Sequence, residues 1–338
     1  MKRMFKDTSP RIVFVGLCAV CVALAGGYVV LKRGAAPAAG LDLPVATEIG
    51  VVAERPALLF SSAAFDRTNG FLGLVPIHAE RPNRYRTELR CDRVHFANGV
   101  GLCLAASRGV ITTFAAQVFG QDFRVRHSLP LKGVPSRARV SPDGRYGAVT
   151  VFVSGDSYSA GNFSTRTTLI DMSTGKAIAD LEEFAVTRQG QSFKAIDFNF
   201  WGVTFGHDSN QFFATLGTGA VTYLIQGDVA DRSARTLREG VECPSLSPDG
   251  RRIVFKKRVG TSSWRLHVLD MDALADTPLA ETRSVDDQVE WLDDRSIAYG
   301  LPATESGGGG SDIWTMTLER DAPRILISHA YSPVRLDR

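Results

Sequence analysis

Two hydropathy patterns divide the chain. From Ile12 to Leu31, twenty consecutive residues carry no charge: IVFVGLCAVCVALAGGYVVL. At ~1.5 Å per residue, a helix of that length spans about 30 Å, the hydrocarbon thickness of a bilayer. After Pro56 the pattern changes. Short runs of apolar and β-branched residues alternate with polar turns, and no stretch repeats its apolar positions with the period of a helix. Together the patterns predict one N-terminal transmembrane helix followed by an all-β domain. The expected division is residues 1–11 as a cytoplasmic N-terminus, 12–31 as the anchor, 32–56 as a flexible linker and 57–338 as the β domain.

The β domain repeats itself. ARVSPDGRYGAVTVFV (138–153) and PSLSPDGRRIVFKKR (244–258) each read as strand, Ser-Pro-Asp-Gly turn, strand. Pro presets the backbone of such a turn, Asp bonds its own main chain, and Gly supplies the positive φ. Weaker copies place Asn98-Gly99, Asp208 and Asp293 at equivalent turns. From Asn98 through Asp143-Gly144, Asp208, Asp249-Gly250 and Asp293 the turn positions are 45, 65, 41 and 44 residues apart. A unit of about 43 residues therefore recurs, once enlarged by about 20. The second half of each unit is another strand–turn–strand, as in 165–181, 262–281 and 311–327. Four short strands per unit predict a β-propeller of four-stranded antiparallel blades. The expected blades are 57–90, 91–133, 134–190, 191–239, 240–283 and 284–330, which makes six. HAYSPVRL (329–336) reads as one further strand that closes the ring against the first blade.

The repeated Ser-Pro-Asp-Gly turn, the run Ser311-Asp312-Ile313-Trp314 before a strand, and the strand ends Leu269-Asp270-Met271 and Ile170-Asp171-Met172 resemble the WD40-like repeats of TolB-type propellers. The resemblance covers 134–330 well and 57–133 weakly. It implies a propeller facing the cell envelope that recruits protein partners and has no catalytic residues. TolB proteins are soluble and carry an additional N-terminal α/β domain. This chain departs on both counts, with an apolar N-terminal segment and too few residues for that domain.

Charge sharpens the division. Of 39 basic and 36 acidic residues, residues 1–33 hold six basic side chains (Lys2, Arg3, Lys6, Arg11, Lys32, Arg33) and one acid, Asp7. The remainder carries 33 basic against 35 acidic groups. A nucleic-acid binder concentrates basic charge on its folded domain; here the excess flanks the apolar segment, so no nucleic-acid partner is expected. Four basic residues before the helix and two after it predict a cytoplasmic N-terminus and an extracytoplasmic β domain. The alternative is secretion after cleavage near Ala36-Pro37-Ala38.

Candidate chemistry is sparse. Ser173-Thr174-Gly175-Lys176 lacks the upstream glycine of a phosphate loop and reads as a hairpin turn. No Gly-x-Ser-x-Gly elbow occurs, and the six histidines never fall at chelating spacing, so no catalytic residue, metal or cofactor is expected. Cys18 and Cys21 lie in the anchor. Cys91 and Cys103 flank the Asn98-Gly99 turn and are either bridged or buried thiols. Trp201, Trp264, Trp291 and Trp314 fall in strands, where they serve either packing or ligand stacking.

Alternating strand direction places the tight turns on one face and the longer loops on the other. The loops 77–84, 154–164, 183–200 and 301–311 are expected on the second face, with Tyr158, Phe163, Arg188 and Phe193 as candidate contact residues. The expected function is a monomeric, non-catalytic scaffold that binds an envelope protein or peptide there. The competing readings are a sensor of a small envelope ligand and a propeller hydrolase such as a lactonase.

Overall fold

The computed structural model describes residues 10–34, 43–51, 56–64, 66–77, 83–153, 164–303, 310–319 and 321–336. Helix α1 (Pro10–Gly34) contains the whole apolar run. Its stretch Arg11–Tyr28 has a mean hydropathy of 2.0, and none of it is buried against the rest of the chain. Such a helix near the N-terminus suits a retained anchor and a signal peptide alike.

The remaining described residues form six sheets. The first contains β1 (Ala57–Ser62), β2 (Phe71–Pro76) and β3 (Tyr85–Arg90). The second is β4 (Arg93–Ala97), β5 (Val100–Arg108), β6 (Thr112–Gly120) and β7 (Val125–Leu131). The third is β8 (Val134–Val140), β9 (Tyr146–Val153), β10 (Ser164–Asp171) and β11 (Lys176–Asp180). A small hairpin follows, β12 (Ala185–Arg188) and β13 (Gln191–Ser192). The fourth sheet is β14 (Asn199–Phe205), β15 (Gln211–Thr218), β16 (Val221–Asp228) and β17 (Ser233–Glu239), and the fifth β18 (Glu242–Leu246), β19 (Arg252–Arg258), β20 (Trp264–Asp270) and β21 (Asp276–Pro278). The sixth is β22 (Glu290–Trp291), β23 (Ser296–Pro302), β24 (Ser311–Thr317) and β25 (Arg324–Ile327). The last strand, β26 (Ala330–Leu336), crosses back to β1, pairing Ala57 with Leu336 and Ser62 with Ala330. The first sheet thus runs β26-β1-β2-β3, and the chain is a six-bladed propeller closed by its own C-terminal strand.

The turns that open each blade follow from their residues. Asn98 (φ 45°) and Gly99 (φ 81°) both take the left-handed region that a two-residue hairpin requires. Asp143 Oδ1 accepts the Arg145 amide and the Ser141 hydroxyl, and Asp249 repeats this with Arg251 and Ser247. Asp208 accepts the Gln211 amide; Asp293 accepts those of Arg295 and Ser296. Neighbouring turns also bond each other. Asn98 Nδ2 donates to the Asp143 carbonyl (2.7 Å), the Asp143 amide to Ser209 Oγ (3.3 Å), and the Asp249 amide to Asp294 Oδ1 (3.0 Å). Cys91 and Cys103 form a disulfide between the start of the second blade and β5.

Two expectations are corrected. The enlarged repeat does not lengthen blade three: that blade ends at Asp180, and the added residues join blade four, where β12 pairs in parallel with the outer strand β17. Nor is all of 32–56 a flexible linker. The Ala46 amide donates to the Arg86 carbonyl (2.7 Å), the Arg86 amide to the Pro44 carbonyl (3.0 Å), and the Ile49 amide to the Gln121 carbonyl (2.8 Å). Ala46 and Ile49 are buried with Leu72, Leu74, Cys91 and Phe119. The outer edge of β3 offers unpaired main-chain groups, and this short apolar segment satisfies them.

Candidate functional site

Within each blade the first and third turns emerge on one face and the remaining connections on the other. Ile77, the start of loop 77–84, lies on the other side from the sequence expectation. Because β26 supplies the first strand of blade one, β2 is its third strand, and Ile77 leaves it on the tight-turn face. The connections 181–198, 259–263 and 279–289 belong to the opposite, long-loop face, as do the strand ends at Val153, Ser164, Ala303 and Gly310. Of the four candidate contact residues, Tyr158 and Phe163 lie outside the described residues. Arg188 and Phe193 are brought together in the β12–β13 hairpin. Arg188 pairs with Glu239 (2.8 Å), and its guanidinium lies over the Phe193 and Tyr223 rings (5.7 and 5.0 Å). Phe193 meets Phe198 and Tyr223 edge-on. These residues brace the hairpin, and Phe193 also lines a groove beside it.

That groove has a volume of about 1450 Å³ and runs from blade three across blade four to Arg258 and Thr261 of blade five. Its wall includes Arg166, Asp180, Glu182, Phe193, Phe198 and Trp201, with residues 217–222. Ile196, 80% exposed, stands at its rim. Glu182 sits on the one-turn helical segment Leu181–Glu183 and accepts the Thr167 amide (3.2 Å). Burial pushes its carboxyl up to about 8; the amides of Glu182 and Thr167 oppose the shift, and the nearby Asp180 charge adds to it. Glu182 is therefore largely protonated at neutral pH and can donate as well as accept a hydrogen bond inside the groove. Asp197, at the other side, is held below the usual carboxylate range by the Thr218 hydroxyl and the Gly219 amide.

The second polar feature lies on the propeller axis. Alternate residues of the inner strands share one face, which pairs Arg93 with His95 on β4. On β8 Arg137 and Arg139 stand two apart, just beyond a bulge. Towards the tight-turn side, Arg139 bonds Glu290 (2.7 Å), and Glu290 also accepts the Arg335 amide (3.1 Å). The Val140 amide donates to His95 Nδ1 (3.1 Å), so the neutral ring carries its proton on Nε2, 3.7 Å from Glu290. Burial, followed by the Arg139 charge, pushes the His95 pKa down. Burial disfavours the Glu290 charge, yet His95, Arg139 and the Arg335 amide together hold its pKa below the ordinary glutamate value. Towards the long-loop face lie Arg93, Arg137, Lys256 and Cys243. This cluster was missed in the sequence. The signal was present as Arg-x-His in the first strand of blade two and Arg-x-Arg in that of blade three.

The tryptophans divide between packing and polar roles. Trp291 is buried and donates to the Ser245 carbonyl (3.0 Å), whereas Trp264 donates to Glu242 (3.0 Å) beneath the Lys256 and Arg258 charges. Arg283 covers the Trp314 ring at 3.7 Å. Ser173–Lys176 is a hairpin turn, with Gly175 at φ 68° and Asp171 accepting the Ser173 and Thr174 amides. Among the described residues, no group of three or more His, Cys, Asp or Glu side chains is placed to hold a metal ion.

No protein-family model matches the chain, and no curated protein matches it in sequence. Solved structures match the fold. TolB from Acinetobacter baumannii aligns with a TM-score of 0.58 at 16% identity, over 83% of this chain and 66% of that one. A putative TolB from Agrobacterium tumefaciens aligns with a TM-score of 0.50 at 11% identity, over 81% and 88%. A chain of a nidogen/laminin complex gives 0.53 at 11% identity, over 83% and 98%. The propeller is TolB-like in fold, and this chain spans just under two thirds of the length of the Acinetobacter protein.

Proposed function

We propose that this chain is a non-catalytic, monomeric propeller scaffold, held outside the cytoplasmic membrane by α1, that binds protein or peptide partners of the cell envelope through its long-loop face. The groove carries this reading. It crosses three blades, and it is lined by the main chain of Gly217, Gly219 and Gly240 together with Phe193, Phe198 and Trp201, as suits an extended polypeptide. The axial groups support a scaffold rather than a hydrolase, because Glu290 is already engaged by Arg139 and the Arg335 amide. The docked segment 43–51 adds an orientation. It meets blades one and two near Arg86 and Gln121, on the tight-turn side, and only 35–42 separates it from α1. A retained anchor therefore holds the tight-turn side nearer the bilayer and leaves the long-loop face toward the envelope.

A second reading, a sensor of a small ligand, is favoured by the protonated Glu182 in the groove wall. A photo-crosslinking amino acid at Ile196, on the long-loop face, and at Leu274, on the tight-turn face, separates the possibilities in intact cells. Discrete polypeptide adducts from position 196 and none from 274 are expected. Adducts equal at both positions, or absent from both, would overturn the scaffold reading.

A further inference from the structure

At the long-loop mouth of the axis, Arg137 and Lys256 share the Asp286 carboxylate, with Arg93 beside them. Arg93 Nε donates to the Ser136 carbonyl (2.8 Å), and Arg137 Nη1 donates to the same oxygen (2.9 Å). Two guanidiniums on one oxygen stand side by side. Arg93 is otherwise held by the Asp92 carbonyl and the face of Tyr331, and no carboxylate lies within ion-pair distance of it among the described residues. Arg137 reaches the Asp286 carbonyl (3.3 Å) and carboxylate (3.6 Å), while its Nε is buried with no partner. Lys256, itself buried, bonds the same Asp286 carboxylate.

Of the other nearby acids, Asp287 favours the charge of Arg93 and Arg137 from beyond ion-pair distance, and the rest have partners of their own. Glu242 is taken by Arg258 and Trp264, Asp92 by Arg108, and Asp287 accepts the Gly300 amide. Burial and the adjacent Arg137 both work against the Arg93 charge. Crowded cations with an unused, inward N–H are stabilised by an incoming anion that replaces water and bridges them. The mouth is open to solvent at Asp286, whose side chain is 63% exposed.

We infer that Arg93, Arg137 and Lys256 form a carboxylate-binding site at the axial mouth, which takes an acidic residue or the C-terminal carboxylate of a bound peptide. The planar fork of Arg137 suits a carboxylate, and Asp286 occupies the place that the guest carboxylate shares or takes over. Overall charge argues against a polyphosphate partner, since the chain beyond residue 33 is slightly acidic. The inference deepens the peptide-binding reading and rests on it.

The test is fluorescence anisotropy on the full-length protein in detergent micelles with three labelled probes. These are a polyglutamate peptide amide, a polyglutamine peptide with a free C-terminal carboxylate, and a polyglutamine amide as blank. Binding of the first assigns side-chain carboxylates, binding of the second a chain terminus, and either supports the site. Arg137→Gln and Arg93→Gln should each weaken binding about tenfold or more, the loss expected for a charge-assisted bond. Arg137→Lys should lose less. Asp286→Asn, which removes the internal competitor at an exposed position, should tighten binding; a merely structural role for Asp286 predicts no gain. Arg295→Gln, on the tight-turn face, should change nothing.

Equal binding of the blank, no effect of Arg137→Gln in a variant with native melting behaviour, or weaker binding in Asp286→Asn overturns the site. Displacement of the peptide by an equimolar amount of inorganic phosphate overturns the carboxylate assignment. If crosslinks from Ile196 persist while the acidic probes fail, this inference falls and the peptide-binding face stands. If both fail, both fall.

Discussion

Glu182 shows how a single residue reports on its surroundings. Its carboxyl is held near 8 because the groove wall withholds solvent, whereas in the unfolded chain it titrates near 4.5. As pH rises from about 4.5 to about 8, the unfolded state releases this proton and the folded state keeps it. Stability therefore declines through that window and levels off above it. Glu182→Gln removes the slope. Thermal unfolding should show a higher Tm than the parent at about pH 8 and an unchanged Tm at about pH 4.5; equal Tm differences at both would refute the burial of this group. The turn carboxylates act in the opposite direction. Asp143 and Asp249 are held near 2 despite some burial, chiefly by the Arg145 amide for the first and the Ser247 hydroxyl for the second. Their contribution is present above about pH 4 and lost as pH falls toward 2, outside the window of Glu182.

At the scale of the strand, three blades share one packing device. Phe60 lies across from Gly73, Phe119 from Gly101, and Phe212 from Gly227, each pair on adjacent antiparallel strands. The ring covers the glycine, and a Cβ on Gly101 would stand 2.1 Å from the Phe119 ring. Phe119 is fully buried and cannot swing away. Gly101→Ala should therefore cost about 2 kcal/mol through overpacking, read as a lower urea midpoint at unchanged slope. Gly109→Ala, whose Cβ would meet nothing nearer than the Ile111 carbonyl at 3.8 Å, serves as the control and should be neutral. The turns were legible in the sequence because their chemistry is local: an Asp two or three residues before the amide it accepts, or a glycine at a position with positive φ. The Phe–Gly pairs were not legible, since they depend on which residues the register sets opposite each other.

For the whole molecule, the decisive contact is the one between its ends. β26 buries Ala330, Val334 and Leu336 against blade one and gives β1 its second partner. Each such side chain contributes roughly 1–3 kcal/mol, so deletion of 330–338 should lower Tm by on the order of 10 °C and expose the edge of β1. Circular dichroism melts and size-exclusion chromatography check this: a truncated chain that remains monomeric with the parent Tm would show that the ring does not depend on its closing strand. The docked segment 43–51 covers the outer edge of the same blade, so both edges of blade one are protected by chain from outside the repeats.

By itself, the sequence determined the properties that arise within about ten residues: a membrane-length apolar run, the strand alternation, the turn residues and their recurrence, and from these six blades and a closing strand. Only the tertiary structure decided what lies together across longer separations. It moved the insertion of blade three onto the edge of blade four, moved Ile77, where loop 77–84 begins, to the tight-turn face, and laid part of the expected linker along β3. It joined Cys91 to Cys103 where the sequence left two outcomes open. It also set Arg93 beside Arg137 and Lys256 beside Asp286, from strands and loops far apart in the chain. The reason is physical: hydrogen bonds within a turn depend on neighbours in sequence, whereas burial and crowding of charge depend on the ring, which brings every inner strand to one axis.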